Sequence, residues 1–91
     1  MKVVLNNKAN LPNKHIRYTV WKLYCLKEKF EDLLFADIYF KTIGQLDNTV
    51  MLTINIRVAG ERITVQKKGA NIMTVINQVY KKAHRLLNRH K

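Results

Sequence analysis

From Thr49 to Val58 the chain alternates: Val50, Leu52, Ile54, Ile56 and Val58 are apolar, while Thr49, Met51, Thr53, Asn55 and Arg57 occupy the intervening places. A period of two predicts a strand with one dry face and one wet face. The same rhythm sets Leu34, Ala36, Ile38 and Phe40 against Phe35, Asp37, Tyr39 and Lys41, and predicts a half-buried strand over "LLFADIYFKT". Val3 and Leu5 mark a short leading strand, and Ile63 and Val65 a last one. "AGE" after Val58 predicts a tight hairpin, and "IGQLDN" a loop.

Two stretches change period. Ile16, Val20, Leu23, Leu26 and Phe30 recur at spacings of three and four, which predicts a helix from about Asn13 to Lys29 with one core-facing stripe. The "NNKANLPN" before it is turn material, and Pro12 suits a first helical turn. After "KKGAN", Asn71 offers an N-cap to a second helix whose stripe is Ile72, Val75, Ile76, Val79, Ala83, Leu86 and Leu87. Thr74, Asn77, Lys81, Arg85 and Asn88 lie opposite, with Lys82 and Arg89 along one border.

The order is therefore β-α-β-β-β-α. Alternating strands bury only one face of a sheet, and two amphipathic helices suffice to cover it. The expected architecture is an α/β (α+β) two-layer sandwich: a four-stranded mixed sheet with both helices packed on one face. The first helix is the crossover that sets strand one parallel to a neighbour, and strands two to four form an antiparallel meander. Residues 1–91 read as one domain, without repeat or linker.

Charge narrows the class of partner. Lys and Arg number 17 against 6 Asp and Glu, a formal net charge of +11, and the last acid is Glu61. Self-repulsion on that scale favours a polyanionic partner. Glu28, Glu31, Asp32 and Asp37 are expected together near the corner after the first helix. On the second helix Lys81, Arg85 and Arg89 fall at i, i+4 and i+8, about 6 Å apart per turn, a spacing that meets successive phosphates. Lys82 and Lys91 broaden that line, and His90 donates or accepts near neutrality. A merely solvated face would intersperse acids for i to i+4 pairing, and this one has none. Lys22 and Lys29 add cations from the first helix, and Trp21 is the aromatic there best placed to stack on a base.

Other chemistries fit less well. The chain has no serine, one cysteine and no metal-ligand spacing, and His84 and His90 stand on different helix faces without a carboxylate partner. A small basic ribonuclease toxin is therefore the weaker alternative, and no catalytic residue, metal or cofactor is expected. Cys25 reads as a filler or surface thiol. A general double-stranded RNA-binding module is the nearer rival, but it has no place for the strand "KVVLN". Strand three shows Met51, Thr53 and Asn55 where an RNA-recognition sheet would show aromatics, and no G-x-x-G loop suggests a KH domain. No apolar run approaches the ~18 residues of a membrane span, and "MKVVLNNK" is too short and polar for a signal peptide. A soluble cytoplasmic protein, with no membrane partner, is expected.

The helix-two region "GANIMTVINQV" followed by "YKKAHRLLNRHK", and the first-helix segment "YTVWKLYCLKEKFED" with Tyr18, Lys22, Leu23, Leu26 and Phe30, resemble the ribosome hibernation-promoting factors. These are also called ribosome-associated inhibitor A, or sigma-54 modulation proteins. The resemblance covers essentially the whole chain and includes the element order. It departs at Asn71 and Asn77, where the family carries acids. Because the chain ends directly after helix two, it looks like the short form. The resemblance implies a non-catalytic factor that binds the small ribosomal subunit and its rRNA in the cleft for messenger and transfer RNA, and stops translation in stationary phase or stress. The expected RNA-binding residues are Lys22, Lys29, Lys81, Lys82, Arg85, Arg89, His90 and Lys91, on a protein that is a monomer when free.

Overall fold

The computed structural model describes residues 1–44 and 48–89. Along them run β1 (Lys2–Asn7), α1 (Asn13–Lys29), β2 (Leu33–Thr42), β3 (Val50–Val58), β4 (Glu61–Gly69) and α2 (Ile72–Arg89). The strands form one sheet in the order β1-β2-β3-β4, with β1 parallel to β2 and the remaining pairs antiparallel. That is the expected mixed sheet, with α1 as the crossover. Of the loop expected at 43–48, Gln45, Leu46 and Asp47 lie outside the described residues.

Period-two alternation places Ile38, Phe40, Leu52, Ile54, Ile56 and Val65 on the side of the sheet covered by the helices. Leu23 and Leu26 of α1 and Val75, Ile76, Val79, Ala83 and Leu87 of α2 close over them. Burying each such aliphatic side chain contributes roughly 1.5–3 kcal/mol, so the helices are held on the sheet chiefly by this shared apolar layer.

β2 begins differently from its sequence rhythm. Leu33 pairs with Val58 and Phe35 with Arg57, so the register shifts between them by one extra residue. The bulge puts Leu33 in the core and leaves Leu34 54% exposed, reversing the faces expected for this end of the strand. Asp37 also departs from expectation. It is paired with Val4 and Asn55 inside the sheet, away from Glu28, Glu31 and Asp32 at the end of α1.

Local devices fix the ends. Gly60, at φ 81°, makes the two-residue turn between the paired Val58 and Glu61, a conformation that a side chain would strain. Asn71 Oδ1 accepts from the Thr74 amide at 3.3 Å, the expected cap of α2. Pro12 precedes α1 without a side-chain cap. At the far end of α1, Lys27 donates to the carbonyls of Glu31 and of Leu33, the latter at 3.0 Å. That ammonium serves the turn into β2.

Candidate nucleic-acid interface

The two helices run in the same direction over the sheet. Tyr18 of α1 donates to Asn77 Oδ1 of α2 at 2.7 Å, and further along both helices the rings of Phe30 and His84 lie edge to face, 5.4 Å apart. Between these contacts a groove of about 340 Å³ opens, with Lys22, Cys25 and Lys29 on the α1 side and Asn77, Lys81 and His84 on the α2 side. Helical geometry dictates these walls: positions 22, 25 and 29 and positions 77, 81 and 84 each repeat at the three- and four-residue spacing that keeps side chains on one face.

The floor of the groove includes Leu26 and Tyr80. Tyr80 is only 4% exposed, and its hydroxyl donates to the Thr19 carbonyl of α1 at 2.6 Å. Burial pushes the Tyr80 phenol well above its ordinary range, because the phenolate would lose its hydration there. Thr19 is fully buried as well, with its hydroxyl returned to the His15 carbonyl at 2.8 Å. Neither residue stands out in the sequence. Tyr80 borders the apolar stripe and carries a hydroxyl, and Thr19 is polar, so neither adds to the hydrophobic rhythm that located the helices.

The expected site residues divide between surfaces. Lys22, Lys29 and Lys81, seven residues apart on one helix and opposite on the other, come together at the groove. Each four-residue step advances about 40° around a helix, so Lys81, Arg85 and Arg89 form a ridge that drifts across the outer side of α2. Arg85 is exposed on that ridge. Arg89 reaches a separate depression at the β4 side, shared with Glu61, Arg62 and Thr64. Lys82, seven residues before Arg89 and hence on the same flank, is half-buried. Among the described residues no carboxylate lines the groove, whereas the far end of the cationic line meets a carboxylate-bearing strand. His90 and Lys91 lie outside the described residues.

Trp21 is 59% exposed and Tyr24 51% exposed. Tyr18 is tied instead to Asn77, with its ring 5.9 Å from that of Trp21. On the open face of the sheet Arg57, Arg62, Thr64 and Gln66 are exposed, and Tyr39, Thr53 and Asn55 are half-buried. Among the described residues no group of three or more His, Cys, Asp or Glu is placed to hold a metal ion, and no helix is long and apolar enough to cross a membrane.

No protein-family model and no curated protein sequence matches the chain. Solved structures do match. A ribosomal subunit interface protein from Coxiella burnetii superposes with a TM-score of 0.85 at 15% identity, over 99% of this chain and 97% of its own. The N-terminal domain of Protein Y from Thermus thermophilus superposes with a TM-score of 0.77 at 17% identity, over 99% of this chain and 96% of its own. At such identities the agreement is one of backbone, spanning nearly every residue of all three chains. By its fold, therefore, this chain is similar from end to end to a ribosomal subunit interface protein and to the N-terminal domain of Protein Y.

Proposed function

We propose that the protein is a ribosome-binding factor whose helical face attaches to rRNA of the small subunit, in the cleft for messenger and transfer RNA, and so inhibits translation under stress or in stationary phase. The observation that carries this reading is the convergence of Lys22 and Lys29 from α1 with Lys81 from α2 on one groove, in a fold similar to that of a ribosomal subunit interface protein. Phosphate contacts need cations held at fixed separations, and two helices braced by Tyr18–Asn77 and Tyr80–Thr19 supply a stiff frame for them. Arg85 extends the surface along α2, and Lys82 and Arg89 widen it toward β4. His90 and Lys91 follow on in the sequence as further basic residues.

On this reading the protein acts in the cytoplasm as a monomer, by occupancy and without catalysis. The test is a sucrose-gradient profile of ribosomes with added protein. Wild type should travel with the small subunit, and a Lys22→Glu, Lys81→Glu, Arg85→Glu variant should stay at the top of the gradient while melting within a few degrees of wild type. Undiminished co-sedimentation of that variant would contradict the proposal. Preferential binding to bare duplex RNA over small subunits would favour a general double-stranded RNA module instead.

A further inference from the structure

The face of the sheet turned away from the helices has an organisation of its own. Lys2, Phe35, Arg57 and Arg62 stand abreast across all four strands, and Val4, Asp37, Asn55 and Thr64 form the next row on that face. The Arg57 guanidinium lies over the Phe35 ring, 5.8 Å from its centroid. A depression of about 120 Å³ opens among Phe35, Asp37, Asn55, Arg57 and Arg62. Thr64 donates to Asn55 Oδ1 at 2.6 Å, which fixes the orientation of that amide. Asp37 Oδ1 is buried without a hydrogen-bond partner among the described residues. An acceptor in that condition carries a desolvation cost that a donor supplied by a ligand would offset.

We propose that this face binds single-stranded RNA, with one base stacked on the Arg57–Phe35 pair and donating from its Watson–Crick edge to Asp37, while Arg62 and Lys2 hold the adjoining phosphates. Arg62 is exposed and long at the rim of this depression, so it can swing aside to admit a base while Arg57 stays over Phe35. Several observations select this occupant. Lys2, Lys41, Arg57, Arg62 and Lys68 make the face strongly cationic, which repels a second copy of the chain and attracts a polyanion. An acidic peptide would bring carboxylates against Asp37, whereas a base brings donors. A duplex keeps its Watson–Crick edges internal, so the strand must be single. Guanine suits the site best, because its N1–H and N2–H are adjacent and match the two oxygens of a carboxylate. β2 is a central strand, and its Phe35 supplies the aromatic that β3 lacks.

This surface lies across the sheet from the helical groove and does not depend on the ribosomal reading. The test therefore uses full-length protein carrying Lys22→Glu, Lys81→Glu and Arg85→Glu, so that the helical face is silenced. Fluorescence anisotropy with labelled uridine hexanucleotides, with and without one central guanosine, reports the remaining site. The guanosine-containing strand should bind about fivefold tighter or more, the discrimination expected of one bidentate base contact. Adding Asp37→Asn should remove that preference while keeping general affinity, and adding Arg57→Gln should weaken binding of both strands. Loss of all binding in the silenced background, equal affinity for the two strands, or a preference that survives Asp37→Asn would overturn the proposal. Displacement of the strand by polyglutamate as readily as by unlabelled RNA would overturn it in favour of an acidic protein partner.

Discussion

The Tyr80 hydroxyl of α2 donates to the Thr19 carbonyl of α1 at 2.6 Å, joining residues 61 positions apart in sequence beneath the groove that carries Lys22, Lys29 and Lys81. A phenol is rigid and its reach is fixed, so this bond sets the separation of the two helices where the cations converge. The charged surface thus depends on a neutral contact below it. Fold and candidate interface are coupled at this point.

Removing the hydroxyl with Tyr80→Phe should cost about 1 kcal/mol, a net intramolecular hydrogen bond, and lower the melting temperature by roughly 4–8 °C. The pH dependence provides a second readout. Because burial raises the folded-state pKa of Tyr80, its contribution is complete below the unfolded value near 10 and is lost as pH rises above it. Above pH 10 wild type should lose stability faster than Tyr80→Phe, by up to about 1.4 kcal/mol per pH unit, in urea titrations at stepped pH. Parallel curves for the two proteins would show that the phenol ionises freely in the folded state.

The bulge at the start of β2 gives opposite fates to neighbouring leucines. Leu33 is fully buried and Leu34 is 54% exposed. Leu34→Lys should change stability by less than about 0.5 kcal/mol, whereas Leu33→Lys should unfold much of the population by burying an unpaired charge. Circular dichroism melts of the two variants check this directly. The reverse ranking would restore the unbroken alternation that the sequence suggests.

Two glycines separate backbone strain from crowding. Gly60 has φ 81° and open space where a Cβ would go, so Gly60→Ala should cost about 1–2 kcal/mol from conformation alone, and Gly60→Asn less. Gly69 is not strained in φ, but a Cβ there would sit 3.1 Å from Val75 Cγ2. Gly69→Ala should therefore be less favourable with Val75 in place than in a chain that also carries Val75→Ala. Chemical denaturation of the single and double variants tests for the non-additivity.

Much of this architecture is legible in the sequence because its strands and helices bury regular stripes. Val50 to Val58 alternate in the chain as they alternate in space, and Val75, Val79 and Ala83 line one side of α2 as their spacing requires. Asn71 reads as a cap and is one. What the sequence conceals is whatever interrupts a period or needs a partner distant in the chain. An extra residue at Leu34 leaves no mark in composition, and the Tyr80–Thr19 bond joins two residues that look merely polar. Lys27 resembles every other surface lysine until Glu31 and Leu33 fold back to its ammonium. The sequence shows the candidate cations but not how they are shared out between surfaces: only the packed helices bring Lys22, Lys29 and Lys81 to one groove and send Arg89 toward Glu61.

The affinity of the protein for purified small ribosomal subunits, measured between 50 and 200 mM salt, tests the electrostatic attachment most directly. With about six phosphate contacts, release of condensed counterions should weaken binding by ~10³-fold over that range, and the Lys22→Glu, Lys81→Glu, Arg85→Glu variant should show weak binding with a shallow slope. An affinity for wild type that stays constant within about threefold across the same range would contradict attachment through these cations.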